Sequence, residues 1–185
     1  MIDDAVKMAK DAMDKAKERL GRELARVRTG RASPALLDDI RIEAYGTPMP
    51  LNQLATISAA DARLLVIKPY DVSNLSSIER AIRASNLGVN PSSDGVVVRV
   101  PIPPLTMERR RDLVKQVKEF AEEAKIGIRN ARREANDFLK EAEKDKEISE
   151  DQLKKGLEKV QALTDDYIKQ IDGTVAKKEN EITNE

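Results

Sequence analysis

The sequence contains no cysteine, no histidine and no tryptophan among its 185 residues. The lack of cysteine excludes disulfides and thiolate chemistry. The lack of histidine removes the usual general base near neutral pH, the Ser-His triads and the commonest metal ligand. Aromatic residues make up only 3% of the chain, which is too few for base stacking along a single-stranded nucleic acid. Little remains from which a catalytic centre can be built.

Nucleotide-binding motifs and long apolar runs are missing as well. The sequence has no P-loop, no GxGxxG and no metal-ligand spacing. The N-terminus alternates charged and apolar residues, unlike a signal peptide, and no run approaches the length of a membrane span. We therefore expect a soluble cytoplasmic protein. The turn-forming stretch Gly88–Gly95 predicts a loop and not a phosphate cradle.

Charge is abundant but balanced. Charged residues make up 36% of the chain, with 33 basic and 33 acidic residues and a formal net charge of zero. This composition is typical of long amphipathic helices. Any nucleic-acid surface must therefore arise from local segregation of charge and not from the bulk charge.

The segment from Thr106 to Ala142 predicts one long helix, because apolar residues recur at steps of three or four. That apolar seam comprises Leu113, Val117, Phe120, Ala124, Ile128, Ala131, Ala135 and Phe138. A basic stripe lies on the opposite side and comprises Arg111, Lys115, Lys118, Lys125, Arg129 and Arg132, with Arg133 beside it. One face is thus predicted to pack inward while the other presents cations to a partner.

Two further helices are predicted, one over Met1–Arg28 and one from Leu153 to about Ile182. Between the first helix and the central one, glycines and prolines appear and the apolar period shortens. The predicted elements there are a strand at Ile40–Ala44, a weaker strand at Leu51–Ile57, a buried strand at Leu64–Ile67, a short helix at Ser76–Leu87 and a strand at Val96–Ile102.

Three long helices that each carry one apolar seam must bury those seams together. The sequence therefore predicts an α+β fold: a long antiparallel three-helix bundle, 1–29 and 106–185, with a small β/α/β domain, 30–105, inserted between its first two helices. The two connections are candidate hinges, since relative motion is the default across a small interface. The predicted hinge residues are Thr29, Gly30, Ala32, Ser33, Pro103, Pro104 and Leu105.

The residues alone leave several functions open. A basic stripe on a long helix is often a solvated face, but the cluster of Arg129, Arg132 and Arg133 favours bidentate phosphate contacts. With so few aromatics, the client would be a folded RNA read by shape and charge. The alternative is a helical-bundle adaptor or chaperone that binds another protein. A small hydrolase is the weakest candidate, because Glu119, Glu122 and Glu123 suit i,i+4 ion pairs better than acid–base catalysis.

Five motifs in order carry a family resemblance. They are VRTGRASP at 27–34, YGTP at 45–48, DG at 94–95 with VPIPPLT at 100–106, ERRR at 108–111 and RNARREAN at 129–136. Their order and spacing, and the length of the chain, resemble the ribosome recycling factor family of bacterial and organellar type. Met107 stands where that family usually has a glutamate, but Thr106 keeps its helix-capping role.

The resemblance implies an L-shaped monomer that binds the post-termination ribosome between its subunits. Together with the GTPase elongation factor G and GTP, such a factor splits the ribosome and frees mRNA and tRNA. It hydrolyses nothing itself and needs no cofactor or metal. The residues that the resemblance marks as contacts to large-subunit rRNA are Arg28, Arg31, Arg129, Arg132 and Arg133.

Overall fold

A computed structural model describes residues 1–27 and 29–184 of the chain. It divides into two compact units. The first combines Met1–Val27 with Arg111–Asn184, and the second contains the described residues between those segments. No helix in the described part is long and apolar enough to cross a membrane.

The elements follow one another in an order that places all six short strands between the first and the two last helices. They are α1 (Ile2–Ala25), β1 (Arg41–Ala44), β2 (Thr47–Pro50), α2 (Leu51–Leu54), β3 (Ala55–Asp61), β4 (Leu64–Pro69), α3 (Leu75–Ala84), β5 (Ser92–Ser93), β6 (Val98–Pro101), α4 (Met107–Lys144) and α5 (Glu150–Asn184). Short 3-10 turns occur at Pro34–Leu37 and Val72–Asn74. The α+β class predicted from the sequence is confirmed.

The first unit is a bundle in which α1 and α5 run parallel to each other. Their relative direction follows from side-chain contacts between the two helices, because the residue numbers of the contacting pairs increase together along both. Tyr167 donates a hydrogen bond to Asp14, and one turn further on Lys17 Nζ donates to Gln170 Oε1 at 2.6 Å. These polar contacts flank an apolar seam in which Met13, Leu20 and Ile171 are almost completely buried.

Helix α4 runs antiparallel to both neighbours and approaches them closely. A Cβ atom built on Gly127 would lie 3.2 Å from Cβ of Ala16 in α1. On α5, a Cβ atom built on Gly156 would lie 2.9 Å from Leu139 Cδ1. Because glycine has no side chain, it lets the helices approach closely at these two crossings. The neighbouring side chains can then pack at the density of a protein interior.

The seam of α4 differs in part from the predicted one. Ala121 and Leu139 are buried, whereas Phe120 is half-buried and Phe138 is 37% exposed. The buried positions of α4 are mostly alanine, and the close approach of the neighbouring helices leaves no room for a phenyl ring there. The two phenylalanines therefore lie at the edges of the seam, one position away from its centre.

The turn between α4 and α5 is closed by hydrogen bonds that the sequence partly predicts. Ser149 N donates to Gln152 Oε1 at 2.8 Å, and Gln152 N donates to Ser149 Oγ at 3.1 Å. This reciprocal pair is a capping box, which confirms the prediction from the Ser149–Gln152 spacing. Thr106 likewise caps the start of α4, because its Oγ1 accepts from Arg109 N at 3.1 Å.

The second unit is a small lobe built on a four-stranded antiparallel sheet of order β3-β4-β6-β5, with β1 and β2 paired separately as a hairpin. Residues from β4, β6 and α3 meet in a core that excludes solvent completely. Its central members are Leu65, Ile67, Val98, Val100, Ile78 and Ile82. Alternate residues of β6 point into this core, as the alternation at Val96–Ile102 predicted. Strand β4 was predicted to be buried throughout, but Leu64 and Val66 are only half-buried, so it alternates as well.

Three local predictions for the lobe were wrong in detail. The segment Leu51–Leu54 is a helical turn, and its strand begins only at Ala55. Strand β2 was not predicted, because it contains Pro48 and Pro50. These prolines are tolerated because β2 pairs only with β1. Helix α3 ends at Ala84 because Ser85 adopts an extended backbone.

The turn at Gly88–Gly95 is organised by one carboxylate. Asp94 Oδ1 accepts hydrogen bonds from the backbone N–H groups of Val96 and Val97, both at 2.9 Å, and Arg99 donates to Oδ2 at 2.7 Å. The backbone donors first, and then Arg99, hold the pKa of Asp94 well below its usual range. The segment is therefore a structural loop, as predicted, with the two-residue strand β5 inside it.

The two glycines of α5, Gly156 and Gly173, allow a matched test of its close packing against α4. We expect Gly173→Ala to raise the free energy of unfolding by about 0.5–1 kcal/mol, because no described heavy atom lies within 4 Å of its new Cβ and alanine favours helix. Gly156→Ala should instead lower it by about 1 kcal/mol, because the clash with buried Leu139 outweighs the helix-propensity gain. Urea denaturation of both variants measures the difference; equal effects would contradict the tight α4–α5 crossing.

The hydrogen bond between Tyr167 and Asp14 joins α1 to α5 and shifts both pKa values. The phenol lowers the pKa of Asp14 by donating to its carboxylate, with a smaller contribution from Lys10. Burial, and then the hydrogen bond to Asp14, raises the pKa of Tyr167 to about 12. The Asp14 contribution to stability is present above its unfolded pKa and is lost as pH falls below about 4. The Tyr167 contribution is lost as pH rises from about 10 to about 12.

We expect Tyr167→Phe to lower the free energy of unfolding by about 1 kcal/mol at pH 7, a modest value because the Asp14 side chain is 38% exposed. The deficit should shrink at pH 3, where Asp14 is protonated in the unfolded wild type. Urea denaturation of the wild type, Tyr167→Phe, Asp14→Asn and the double variant at pH 7 and pH 3 completes a double-mutant cycle. A deficit that is unchanged between the two pH values would mean that packing, and not the hydrogen bond, carries the effect.

Candidate nucleic-acid interface

Three of the predicted RNA-binding arginines lie together within two turns of α4. Arg129 and Arg132 are half-buried and Arg133 is exposed. Neither Arg132 nor Arg133 forms an ion pair or hydrogen bond with any residue that the structure describes. Two guanidinium groups on one rigid helix are therefore available for a phosphate-bearing partner, to which arginine binds through paired N–H donors.

The third arginine of the cluster, Arg129, already has an internal partner. Its Nη1 lies 3.0 Å from Glu122 Oε1, with side chains that are 43% and 60% exposed. An ion pair this exposed contributes little to stability. We therefore expect Arg129 to exchange Glu122 for a phosphate at small cost.

Lys125 differs from the rest of the basic stripe. Its Nζ lies 2.6 Å from Asp172 Oδ1 across the α4–α5 contact, and its side chain is mostly buried. It serves to join two helices and adds no free charge to the outer face. The accessible part of the stripe is thus divided, with Arg111, Lys115 and Lys118 towards one end of α4 and the arginine cluster towards its middle.

The two remaining predicted arginines are placed differently. Arg31 is exposed and belongs to the second unit, before the 3-10 turn at Pro34–Leu37. Arg28 lies outside the described residues. The structure therefore brings together Arg129, Arg132 and Arg133, and it does not show the other two beside them.

Each predicted hinge segment contains or adjoins a residue that is hydrogen-bonded to the lobe. Ala32 N donates to Ala62 O at 2.7 Å, and Ile102 N donates to Arg63 O at 2.7 Å. Ala62 and Arg63 form the turn between β3 and β4. Both connections of the lobe are thus bound to the same two-residue turn.

The other predicted hinge residues flank these two anchors. Ser33 Oγ accepts from Ala35 N and caps the following 3-10 turn, so it belongs to the body of the lobe. Gly30 has φ of +86°, a conformation that L side chains rarely adopt. Residues 103–105 form neither helix nor strand, and α4 begins shortly after them.

A groove that the sequence did not predict lies between the C-terminal half of α4 and the N-terminal half of α5. It has a volume of about 450 Å³ and is lined by Asn136, Lys140, Glu150, Leu153, Lys154, Leu157, Glu158 and Gln161. The only signal in the sequence is that Asn136 and Lys140 follow Arg132 at steps of four, which places them on one side of a helix.

The acidic residues of the described segments do not assemble into a metal site. No group of three or more aspartates and glutamates there is arranged to hold a metal ion. Glu119, Glu122 and Glu123 are exposed on α4. What the arrangement supports is polyanion binding by the arginine cluster.

Comparison with known proteins identifies what this architecture is similar to. The family model described as ribosome recycling factor matches residues 20–183. A ribosome-recycling factor of Halalkalibacterium halodurans is 60% identical over 174 residues, 94% of each chain. One from Carboxydothermus hydrogenoformans is 56% identical over 182 residues, 98% of each chain.

Two solved structures share the fold at similar coverage. A solution structure of the ribosome recycling factor superposes with a TM-score of 0.77 at 43% identity, covering 100% of this chain and 98% of the other. The second is described as models for the T. thermophilus ribosome recycling factor and the E. coli elongation factor G bound to the E. coli post-termination complex. It superposes with a TM-score of 0.67 at 46% identity, covering 98% of each chain.

Proposed function

This chain belongs to the ribosome recycling factor family, and we propose that it binds the post-termination ribosome and, with elongation factor G and GTP, splits it into subunits. The mRNA and tRNA are released for a new round of translation. The observation that carries the proposal on the structural side is the pair of guanidinium groups of Arg132 and Arg133 on one long helix, which have no ion pair or hydrogen bond among the residues that the structure describes. The relative that is described in a post-termination complex with elongation factor G supports the choice of partners.

The arginine cluster suits ribosomal RNA for a physical reason. A duplex or folded RNA presents closely spaced phosphates, and neutralising each one releases condensed counterions. Arg132 and Arg133 offer two such contacts, and Arg129 offers a third once it leaves Glu122. Binding is therefore expected to weaken steeply with salt. Large-subunit rRNA at the subunit interface is the surface proposed for this face.

Splitting requires a lever that is stiff along its length and jointed at one place. The bundle supplies the stiffness, because its helices are joined by buried seams and by cross-links such as Lys125–Asp172. The proposed joint comprises Thr29 and Gly30 in one connection and Pro103, Pro104 and Leu105 in the other. Both lie outside the anchors at Ala32 and Ile102.

The chemical work is assigned to the partner. The family consists of translation factors, and the proposed role needs no bond to be made or broken by this chain. GTP hydrolysis belongs to elongation factor G. The protein is proposed to act as a monomer in the cytoplasm, where the translating ribosomes of a bacterium are found.

Arg132→Ala tests the proposed RNA contact. We expect it to weaken binding to vacant bacterial ribosomes about tenfold or more and to reduce the slope of log K against log salt by about one. The melting temperature should stay nearly unchanged, because Arg132 has no ion pair among the described residues. Co-sedimentation at several salt concentrations gives the affinity and the slope.

Arg80→Ala is the matched control, since Arg80 is an exposed arginine on α3 of the lobe. Equal losses in both variants would mean that only net charge matters. Unchanged binding by Arg132→Ala, or ribosome binding that ignores salt in the wild type, would overturn the proposal and favour a helical adaptor that binds protein.

Gly30→Pro tests the joint. Proline fixes φ near −65°, whereas Gly30 has φ of +86°, so the substitution changes the path and freedom of the first connection. We expect ribosome binding within about threefold of wild type, because the arginine cluster is untouched, and subunit splitting at least tenfold slower. A light-scattering assay with elongation factor G and GTP measures splitting.

The control is Gly95→Pro, since Gly95 has a similar φ of +89° in a loop of the lobe. Both variants carry comparable backbone strain, but only one alters the joint. Normal splitting by Gly30→Pro, or an equal defect in Gly95→Pro, would contradict a hinge at Gly30.

A further inference from the structure

Glu122 interrupts the row of cations along the outer face of α4. Lys115, Glu122 and Arg129 are seven residues apart. Positions seven apart drift by only about 20° around a helix, so the three residues lie nearly on one line. At 1.5 Å per residue, Glu122 is about 10 Å along the helix axis from each of the two cations. Its carboxylate therefore stands midway between the two groups of cations on α4.

That carboxylate holds Arg129 in the unbound protein. Arg129 Nη1 lies 3.0 Å from Glu122 Oε1. Glu122 precedes Arg129 by two helical turns, whereas Arg132 and Arg133 follow it. The ion pair therefore draws the guanidinium of Arg129 away from the other two members of the arginine cluster.

The stretch of α4 around Glu122 presents no free cation among the described residues. Between Lys118 and Arg129 the only basic residue is Lys125, whose Nζ is paired with Asp172 Oδ1 at 2.6 Å. This gap in the row extends for about 16 Å along the helix axis. Duplex nucleic acid carries one phosphate per about 3.4 Å of each strand, so a strand lying along α4 would place several phosphates over the gap.

The gap disfavours one mode of binding more than another. A strand that follows α4 from Lys115 to Arg129 brings phosphates close to the Glu122 carboxylate, and like charges repel. A folded RNA surface that contacts only the arginine cluster does not have to pass Glu122. Specificity is a difference between two affinities, and repulsion of the wrong partner is one way to obtain it.

We propose that Glu122 is a specificity-determining residue, which keeps extended nucleic acid from binding along α4 and leaves the arginine cluster open to folded ribosomal RNA. It repels phosphates at the middle of the row, and it occupies Arg129 until a phosphate placed beside Arg132 replaces it. Because non-cognate sites outnumber the specific one, the ratio of the two affinities matters more than either alone. This inference rests on the proposed function and names the residue that sets its selectivity.

Glu122→Gln tests the proposal, because it removes the charge and keeps the size of the side chain. We expect affinity for a mixed-sequence RNA duplex of about 30 base pairs to rise about tenfold, with a slope of log K against log salt that is steeper by about one. Affinity for vacant bacterial ribosomes should change less than about threefold, because an ion pair this exposed is easily exchanged. Fluorescence anisotropy measures duplex binding, and co-sedimentation measures ribosome binding.

Glu134→Gln is the matched control for net charge. Glu134 is exposed on the same helix and forms no ion pair with any residue that the structure describes. At 3.6 residues per turn it lies about 140° around α4 from Arg129 and about 160° from Arg132, away from the row of cations. We expect duplex affinity to change less than about twofold. An equal gain in both variants would show that only the total charge of the helix matters and would overturn the proposal.

Arg129→Ala tests whether Glu122 acts on Arg129. In this background, adding Glu122→Gln should raise duplex affinity only about threefold, and the salt slope should not steepen, because no guanidinium is released. A double-mutant cycle of the wild type, the two single variants and the double variant gives the coupling. A gain that is as large without Arg129 as with it would contradict the proposal.

The outcomes separate this inference from the function on which it rests. If Arg132→Ala weakens ribosome binding while Glu122→Gln leaves duplex affinity unchanged, the inference falls and the proposed function stands. If ribosome binding by the wild type ignores salt, both fall. If Glu122→Gln raises affinity for ribosomes as much as for the duplex, Glu122 weakens all RNA binding and sets no specificity, which also overturns the inference.

The melting temperature excludes an indirect effect of the substitution. Glu122→Gln should shift it by no more than about 2 °C, because the side chains of the ion pair are 43% and 60% exposed. A gain in duplex affinity that comes with a loss of several degrees would assign the gain to a loosened bundle and would overturn the specific role of Glu122.

Discussion

The close packing of α4 against its two neighbours is the constraint on which the rest of the structure depends. Glycine at 127 and 156 and a seam in which alanine is the commonest buried residue let α1 and α5 approach closely. A helix of 38 residues spans roughly 57 Å at 1.5 Å per residue, and alone it would bend. Held on two sides by tight contacts, it becomes a rod that can transmit force.

The same packing decides which cations remain available. Once the seam faces inward, side chains at its borders are close enough to pair across helices, as Lys125 does with Asp172. Arg132 and Arg133 lie opposite no carboxylate of the described chain at ion-pair distance, so they keep their donors free. The balanced net charge of the sequence thus conceals a local group of unpaired cations in the described chain, which arises from geometry and not from composition.

Periodicity predicted the three long helices and capping motifs predicted the caps at Thr106 and Ser149, because each depends on residues close together in the chain. Periodicity misplaced Phe138, since steps of three and four from Ala135 fit position 138 as well as position 139, and the structure buries Leu139 instead. It also missed β2, whose prolines are acceptable only in a hairpin outside the main sheet. The groove at Asn136 was beyond reach for the same reason: its second wall comes from α5, and no local pattern records which residues face each other across two helices.

The attachment of the lobe suggests how the two connections act together. Here both connections are bound to the turn at Ala62 and Arg63, so the two segments of chain leave the lobe from neighbouring residues. Because one turn binds both connections, a change in that turn reaches both of them at once.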